Sequence, residues 1–171
     1  LADDTLIFGQ RLGELCGQGP YLEEDIALTN IALDYLGQSS NFFKYAAQIQ
    51  NEGRTEDDLA FLRLEKEYLN CQLSELPNGD YANTILKVYF FSVYQKIGYE
   101  ALMKSSDEQI SAIAEKSLKE VKYHYTHTSN WVKMFADGTE ESKSRLKNAV
   151  ENLWEYTAGM FAETNGEKDL V

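Results

Sequence analysis

SDEQISAIAEKSLKEVKYHYTHTSNWVKMF, residues 106–135, decides the fold, and it contains the only two histidines of the chain. Alternating steps of four and three pick out Ile110, Ala114, Ser117, Val121, His124, Thr128, Trp131 and Phe135. That alternation is the seam of a long bundle helix. Its middle is polar: Ser117, His124 and Thr128 stand where a plain helical bundle would carry Leu or Ile. The core at this level is therefore a metal site, a ligand site, or the remains of one.

Working outward, the same helical periodicity recurs on both sides. Upstream, residues 80–104 form a helix with Ile85, Val88, Ser92, Tyr99 and Leu102 on one stripe and Leu86, Tyr89, Phe90, Phe91, Val93, Tyr94 and Ile97 around the rest. Apolar on nearly all sides, it is expected to be the most enclosed helix. Ser106 with Gln109 reads as a capping box for the central helix, closed by Asp137 and Gly138. Thr139 caps a further helix bearing Leu146, Val150, Leu153, Trp154 and Phe161. From Thr164 the periodicity stops, and a frayed tail over 164–171 is expected after a domain spanning 1–163.

Toward the N-terminus, a first helix is expected from about Asp4 to Cys16, capped by Asp3 or Asp4 and stopped by Gly17, Gly19 and Pro20. A second runs from Leu22 to about Gln50, with Glu23, Glu24 and Asp25 at the positive end of its dipole. Its seam holds Thr29, Ala32, Leu36, Ser39, Phe43 and Ala46. Thr55 with Asp58 opens a third helix to about Leu76, ended by Pro77, Asn78 and Gly79. The longest helices, at 1.5 Å per residue, are about 40 Å long, as lengthwise packing in a bundle needs. The plan repeats coarsely: the first and second helices form one antiparallel pair, the fourth and fifth another. The fold class expected is all-α, a ferritin-like antiparallel bundle of about six helices.

Composition narrows the function. The chain has 171 residues, 43% of them hydrophobic and 12% aromatic, so one domain with an ordinary core is expected. Acidic residues number 28 against 16 basic ones, a formal charge of −12. Such a surface repels nucleic acid and anionic lipid. Neither a membrane-length apolar run nor a signal peptide is visible, so a cytoplasmic location is expected. Cys16 and Cys71 read as free core thiols. The 11 tyrosines exceed what a core of this size needs and suit a large protein contact surface.

A di-iron site in this architecture needs carboxylates from both helix pairs and a Glu-x-x-His from each. His124 and His127 share one helix, and Val121 and His124 stand three residues before them, so no Glu-x-x-His exists. Glu120 and His124 lie at i, i+4 and, with Glu65, Glu67 or Asp34, would make at most a single-metal site. No phosphate loop, nucleophile elbow or Cys/His nucleophile pair occurs.

In LGELCGQGPYLEEDIALTNIALDYLGQ, DDLAFLR, ELPNGDYANT, SLKEVKYH and DGTEES, followed by LW and FAE, the chain resembles the C-type, non-catalytic ferritin-like subunits of bacterial phenylacetyl-CoA oxygenase (ring 1,2-epoxidase) complexes. The segments run in order over nearly the whole chain. The resemblance implies a catalytic sister subunit of the same fold that holds the di-iron centre and the CoA thioester, in a larger complex with a reductase. It also implies that this chain is a trimmed piece lacking the family's C-terminal segment. Laid over the sister's Lys-Glu-Glu-x-x-His pattern, the metal histidine falls on His124 and a metal glutamate on Val121. A carboxylate position falls on Ser92, and the first pair's positions fall near Gln10, Leu36 and Ser39. The resemblance thus implies a subunit without catalytic residues, cofactor or metal of its own, whose partner performs the epoxidation in phenylacetate catabolism. Two other readings stand beside it: a metal-dependent oxidase centred on His124, and a stand-alone bundle binding a small molecule around Ser117, His124 and Thr128.

Overall fold

The computed structural model describes residues 1–162, which leaves the expected tail at 164–171 outside the described residues. Every regular element among the described residues is helical, and the fold class is the expected one, all-α of the ferritin-like helical-bundle kind. Two compact units are delimited, one over 1–75 and the other from Leu76 onward.

The first unit is built on α1 (Ala2–Gly13) and α2 (Leu22–Gln50). Their antiparallel pairing is read from three contacts. Ser39 Oγ donates to the Ala2 carbonyl at 3.0 Å, Phe8 meets Tyr35 edge-on at 5.2 Å, and Gly9 faces Ala32 and Leu36 so closely that a Cβ would lie 3.0 Å from Leu36 Cγ. Glycine at position 9 is what lets the helices approach. α2 occupies the expected span and ends at Asn51, whose φ of 49° is the left-handed conformation that closes helices. α1 ends at Gly13, a turn earlier than expected, because the following loop is gathered by Asp25, whose Oδ1 accepts the Gly17 and Gly19 amides at 2.8 and 3.1 Å. Cys16 consequently sits exposed in that loop rather than in the core.

Asp3 and Asp4 also differ from expectation. They do not cap α1 but lie inside its first turn, buried, and hold the segment after α2. Asp3 takes both terminal nitrogens of Arg63 and the Leu69 amide (2.8 Å); Asp4 takes the Cys71 amide at 2.7 Å. The Arg63 guanidinium lies over the Tyr68 ring at 4.2 Å and the Phe43 ring at 5.4 Å. This capture explains why the third helix does not run to Leu76. The capping box forms, with the Thr55 amide on Asp58 Oδ2 at 2.7 Å and the Asp58 amide on Thr55 Oγ1 at 3.2 Å. α3 (Glu56–Phe61) then stops where Arg63 turns to Asp3, and only a 3-10 turn (Glu65–Glu67) and the short α4 (Gln72–Glu75) follow.

The second unit is built on α5 (Tyr81–Leu102) and α6 (Glu108–Asp137). Tyr81 packs edge-on against Trp131 at 5.2 Å and Tyr89 stacks on Tyr125 at 5.7 Å, an antiparallel register. Asp80 caps α5 by accepting the Asn83 amide at 2.9 Å. The expected stripe of Ile85, Val88, Ser92, Tyr99 and Leu102 is buried throughout, and only Ile97 among the surrounding large apolar residues is mainly exposed. Lys87, in the middle of this apolar helix, is fully buried and donates to the Leu76 carbonyl (2.8 Å) and Asn78 Oδ1 (2.9 Å). It ties the Leu76–Asn78 turn to α5, which the apolar pattern did not foretell. The cap of α6 is Asp107, not Ser106: its Oδ1 accepts the Gln109 and Ile110 amides at 3.0 Å each. An ionised carboxylate one residue nearer the helix outcompetes the hydroxyl there. α7 (Glu140–Leu153), capped by Thr139, runs parallel to α5 and continues through a 3-10 turn to α8 (Thr157–Met160). Phe90 meets Trp154 at 6.0 Å and Tyr94 meets Phe161 at 5.5 Å along that contact.

Removing Asp3 strands a largely buried guanidinium and frees the Leu69 amide. Asp3→Ala is expected to lower the unfolding free energy by about 2–3 kcal/mol, read as a reduced urea midpoint at unchanged slope. Burial and the neighbouring Asp4 push the Cys71 thiol up to about 12. At pH 8, Cys71 should therefore react with a thiol reagent roughly a hundredfold or more slowly than exposed Cys16, measured by mass spectrometry of the labelled peptides.

Candidate functional site

The seam of α6 is buried along the expected line. Ile110, Ala114, Ser117, Val121, His124 and Thr128 are all enclosed, and Val121, His124 and Thr128 have no exposed surface. Toward the C-terminal end Trp131 and Phe135 are only half-buried, where they receive Tyr81. Ser92, the α5 position expected to have replaced a carboxylate, is likewise fully buried.

The polar groups of this seam are mostly satisfied within their own helices. Ser92 Oγ donates to the Val88 carbonyl at 2.7 Å, and Thr128 Oγ1 donates to the His124 carbonyl at 2.7 Å. These are bonds to the carbonyl four residues back, which hydroxyls in helices readily make. Gln95, one turn from Ser92, donates to the Tyr99 hydroxyl at 3.3 Å. Ser117 Oγ is buried without a protein hydrogen-bond partner. His127 lies half-buried on the flank, its ring stacked on Tyr123 at 5.9 Å. Burial, with Tyr125 beside it, pushes the Tyr89 phenol up, so that ring of the stack remains neutral near pH 7.

In the first unit, Ser39 is buried and its hydroxyl is committed to Ala2, while Leu36 is half-buried against Gly9. Gln10 is exposed. The α1 residue that faces Leu36 is Gly9, one position earlier, and a single residue turns a helical side chain by about 100°. Gln10, near which the resemblance placed a position of the first pair, therefore points away from Leu36 and into solvent. Leu36, Ser39 and Gly9 thus form one local constellation; Ser92, Val121 and His124 lie on the paired helices α5 and α6.

This donor set does not fit a di-iron centre. At the positions assigned to it stand one imidazole, two hydroxyls already engaged with backbone carbonyls, two aliphatic side chains and an exposed amide. Hard iron sites of this class require several carboxylates. Among the described residues no three His, Cys, Asp or Glu side chains come together as a metal group. Surface cavities lie elsewhere. One, of about 430 Å³, lies between the start of α5 and α7 beside Asp80, Arg145 and Asn152. Another, of about 230 Å³, lies between α2 and α3 beside Leu36 and Phe61. Neither is lined by Ser117, His124 or Thr128.

Residues 1–171 match the model of the phenylacetic acid catabolic protein family. The chain belongs to that family. Over 161 residues it is 44% identical to the C-type subunit of the 1,2-phenylacetyl-CoA epoxidase of Escherichia coli (strain K12), an alignment covering 94% of this chain. It spans 64% of that relative's length. Three residues before His124 this chain carries valine, so α6 has no Glu-x-x-His step at His124.

Val121→Glu measures how closed the position is. A carboxylate there is expected to lower stability by roughly 3 kcal/mol or more at pH 7 relative to wild type. Its folded-state pKa lies above the unfolded value of about 4.3, so the penalty should vanish below pH 4 and grow as pH rises, in urea unfolding of both proteins at matched pH. A pH-independent difference would show that the carboxylate reaches water.

Proposed function

We propose that this chain is the structural, non-catalytic member of a multicomponent phenylacetyl-CoA mono-oxygenase, pairing with a di-iron subunit of the same fold and stabilising it. The observation that carries the reading is that Val121 and Ser92, the positions the resemblance assigns to a metal glutamate and a second carboxylate, are wholly buried and non-ionisable. Burying an aliphatic side chain of this size contributes about 1.5–3 kcal/mol, so replacement of the ligand converts an expensive charged site into core. The similarity to the Escherichia coli epoxidase component supports the assignment to that complex and to phenylacetate catabolism. In this reading epoxidation of the aromatic ring occurs in the partner, electrons reach it through a reductase, and this chain binds neither iron nor the thioester. No described helix is long and apolar enough to cross a membrane. The cytoplasm is the compartment proposed, where CoA thioesters are available.

The chain expressed alone with iron supplied is expected to retain less than about a tenth of an iron per molecule, because one imidazole without carboxylates cannot hold the metal through purification. Co-expressed with the di-iron subunit, it should co-elute with it in size exclusion, and the partner should melt at a higher temperature in its presence. One or two irons per chain, or separate elution at micromolar concentration, would overturn the reading.

A further inference from the structure

The segment after α3 presents an unusual surface. Phe61, Leu62, Leu64 and Leu69 are 59, 74, 64 and 83% exposed. Their backbone is nevertheless held firmly. Arg63 is bound by Asp3, the Leu64 amide by Glu67 Oε2 at 2.6 Å, the Leu69 amide by Asp3, and the Tyr68 hydroxyl donates to the Ala60 carbonyl at 2.8 Å. A loop anchored by four polar contacts that still turns four large apolar side chains outward is prepared for contact and has little ordering left to undergo.

Beside it opens the 230 Å³ cavity, with Leu6, Leu36 and Phe43 as its apolar walls, Phe61 at its edge, and Glu56 and Asp57 also lining it. A cavity of about 150 Å³ can take a benzene ring, so this one has room for a single aromatic or branched aliphatic side chain. Glu56 is paired only loosely, with Lys44 at 3.8 Å, and Asp57 has no ion-pair partner among the described residues. Within residues 61–69 the exposed charges are Glu65, Lys66 and Glu67, and Arg63 is taken up by Asp3.

We propose that this patch is the docking site for an anchor segment of the partner subunit: one aromatic or aliphatic side chain entering the cavity beside Phe61, flanked by Lys or Arg that meet Asp57 and Glu56. The inference rests on the pairing reading above and names the surface used. Charge selects the occupant. A second copy of a chain carrying −12 would bring acidic rim against acidic rim, and an anionic lipid surface would be repelled in the same way. An apolar anchor ringed by cations satisfies both the cavity and its rim, in the manner of interface hot spots.

The test is titration calorimetry of the full-length chain with the purified di-iron subunit at low and high salt. Leu62→Asp with Leu64→Asp is expected to weaken binding roughly tenfold or more. Asp57→Lys should weaken it about threefold at low salt and flatten the salt dependence. Ile97→Asp, exposed on α5, should leave it within about twofold. Circular dichroism checks that each variant is folded; the substituted positions are all exposed. Wild-type affinity in both loop variants would overturn the docking site while leaving the pairing intact. Absence of binding by the wild type would remove pairing and docking site together. A self-association of the wild type that the loop double variant abolishes would assign the patch to a second copy and overturn the proposal. Resistance of Leu64→Cys to thiol labelling in the full-length chain alone would show that the chain's own further segment covers the patch, with the same consequence.

Discussion

Two adjacent carboxylates at the start of α1 organise the first unit. Asp3 and Asp4 are buried in a helical turn, where the helix dipole favours negative charge, and between them they accept an arginine and two backbone amides from a segment some 60 residues later. Leaving either acceptor unmatched in that environment costs more than the helix would gain by continuing, so the chain after α3 abandons regular structure and lies where the carboxylates require it. The hydrogen bonds that Arg63 donates to Asp3 raise the arginine's affinity for its proton, so the guanidinium stays charged. The placement of Tyr68, the course of Leu64 to Leu69 and the closure of the cavity beside Phe61 all follow from that choice.

The second unit is governed by a different constraint, the enclosure of polar side chains. α5 and α6 bring hydroxyls, an amide and an imidazole to positions without solvent, where a partner is worth most, and most of them find one. Ser92 and Thr128 do so on their own helices. Lys87 does so by reaching the turn before it, with the carbonyl of Leu76 and the side chain of Asn78 as acceptors. The interior is thus polar along its centre and carries no carboxylate at Ser92, Val121, His124 or Thr128.

Much of this was legible in the residues. The 4-3 spacing from Ile110 to Thr128 marked the buried line of α6, and the Leu22–Gln50 helix could be read from its acidic start and its Asn51-Glu52-Gly53 end. The capping boxes were less certain guides. Thr55 with Asp58 formed as read, but Ser106 yielded to Asp107, because two neighbouring cap residues compete and only geometry decides between them. Long-range polar contacts left no periodic trace. Nothing local sets Arg63 apart within DDLAFLR, and Asp3 and Asp4 read as caps of the first helix, since no periodicity reveals a partner 60 positions away. Register across the α1–α2 loop was similarly hidden, so the close approach of Gly9 to Leu36 could not be read from the sequence. Lys87 was the one visible irregularity in ILKVYFF, and its burial could have been suspected from the apolar residues on every side.

The bonds made by Ser92 and Thr128 have an evolutionary implication. Each hydroxyl gives its proton to a carbonyl four residues back on the same helix, so neither depends on a side chain contributed by the neighbouring helix. Substitution at one leaves no orphaned partner at the other. A metal site is the opposite case, in which every ligand's fitness depends on the rest. Hydroxyls that are satisfied within their own helix can therefore be exchanged one position at a time, each change being felt on that helix alone.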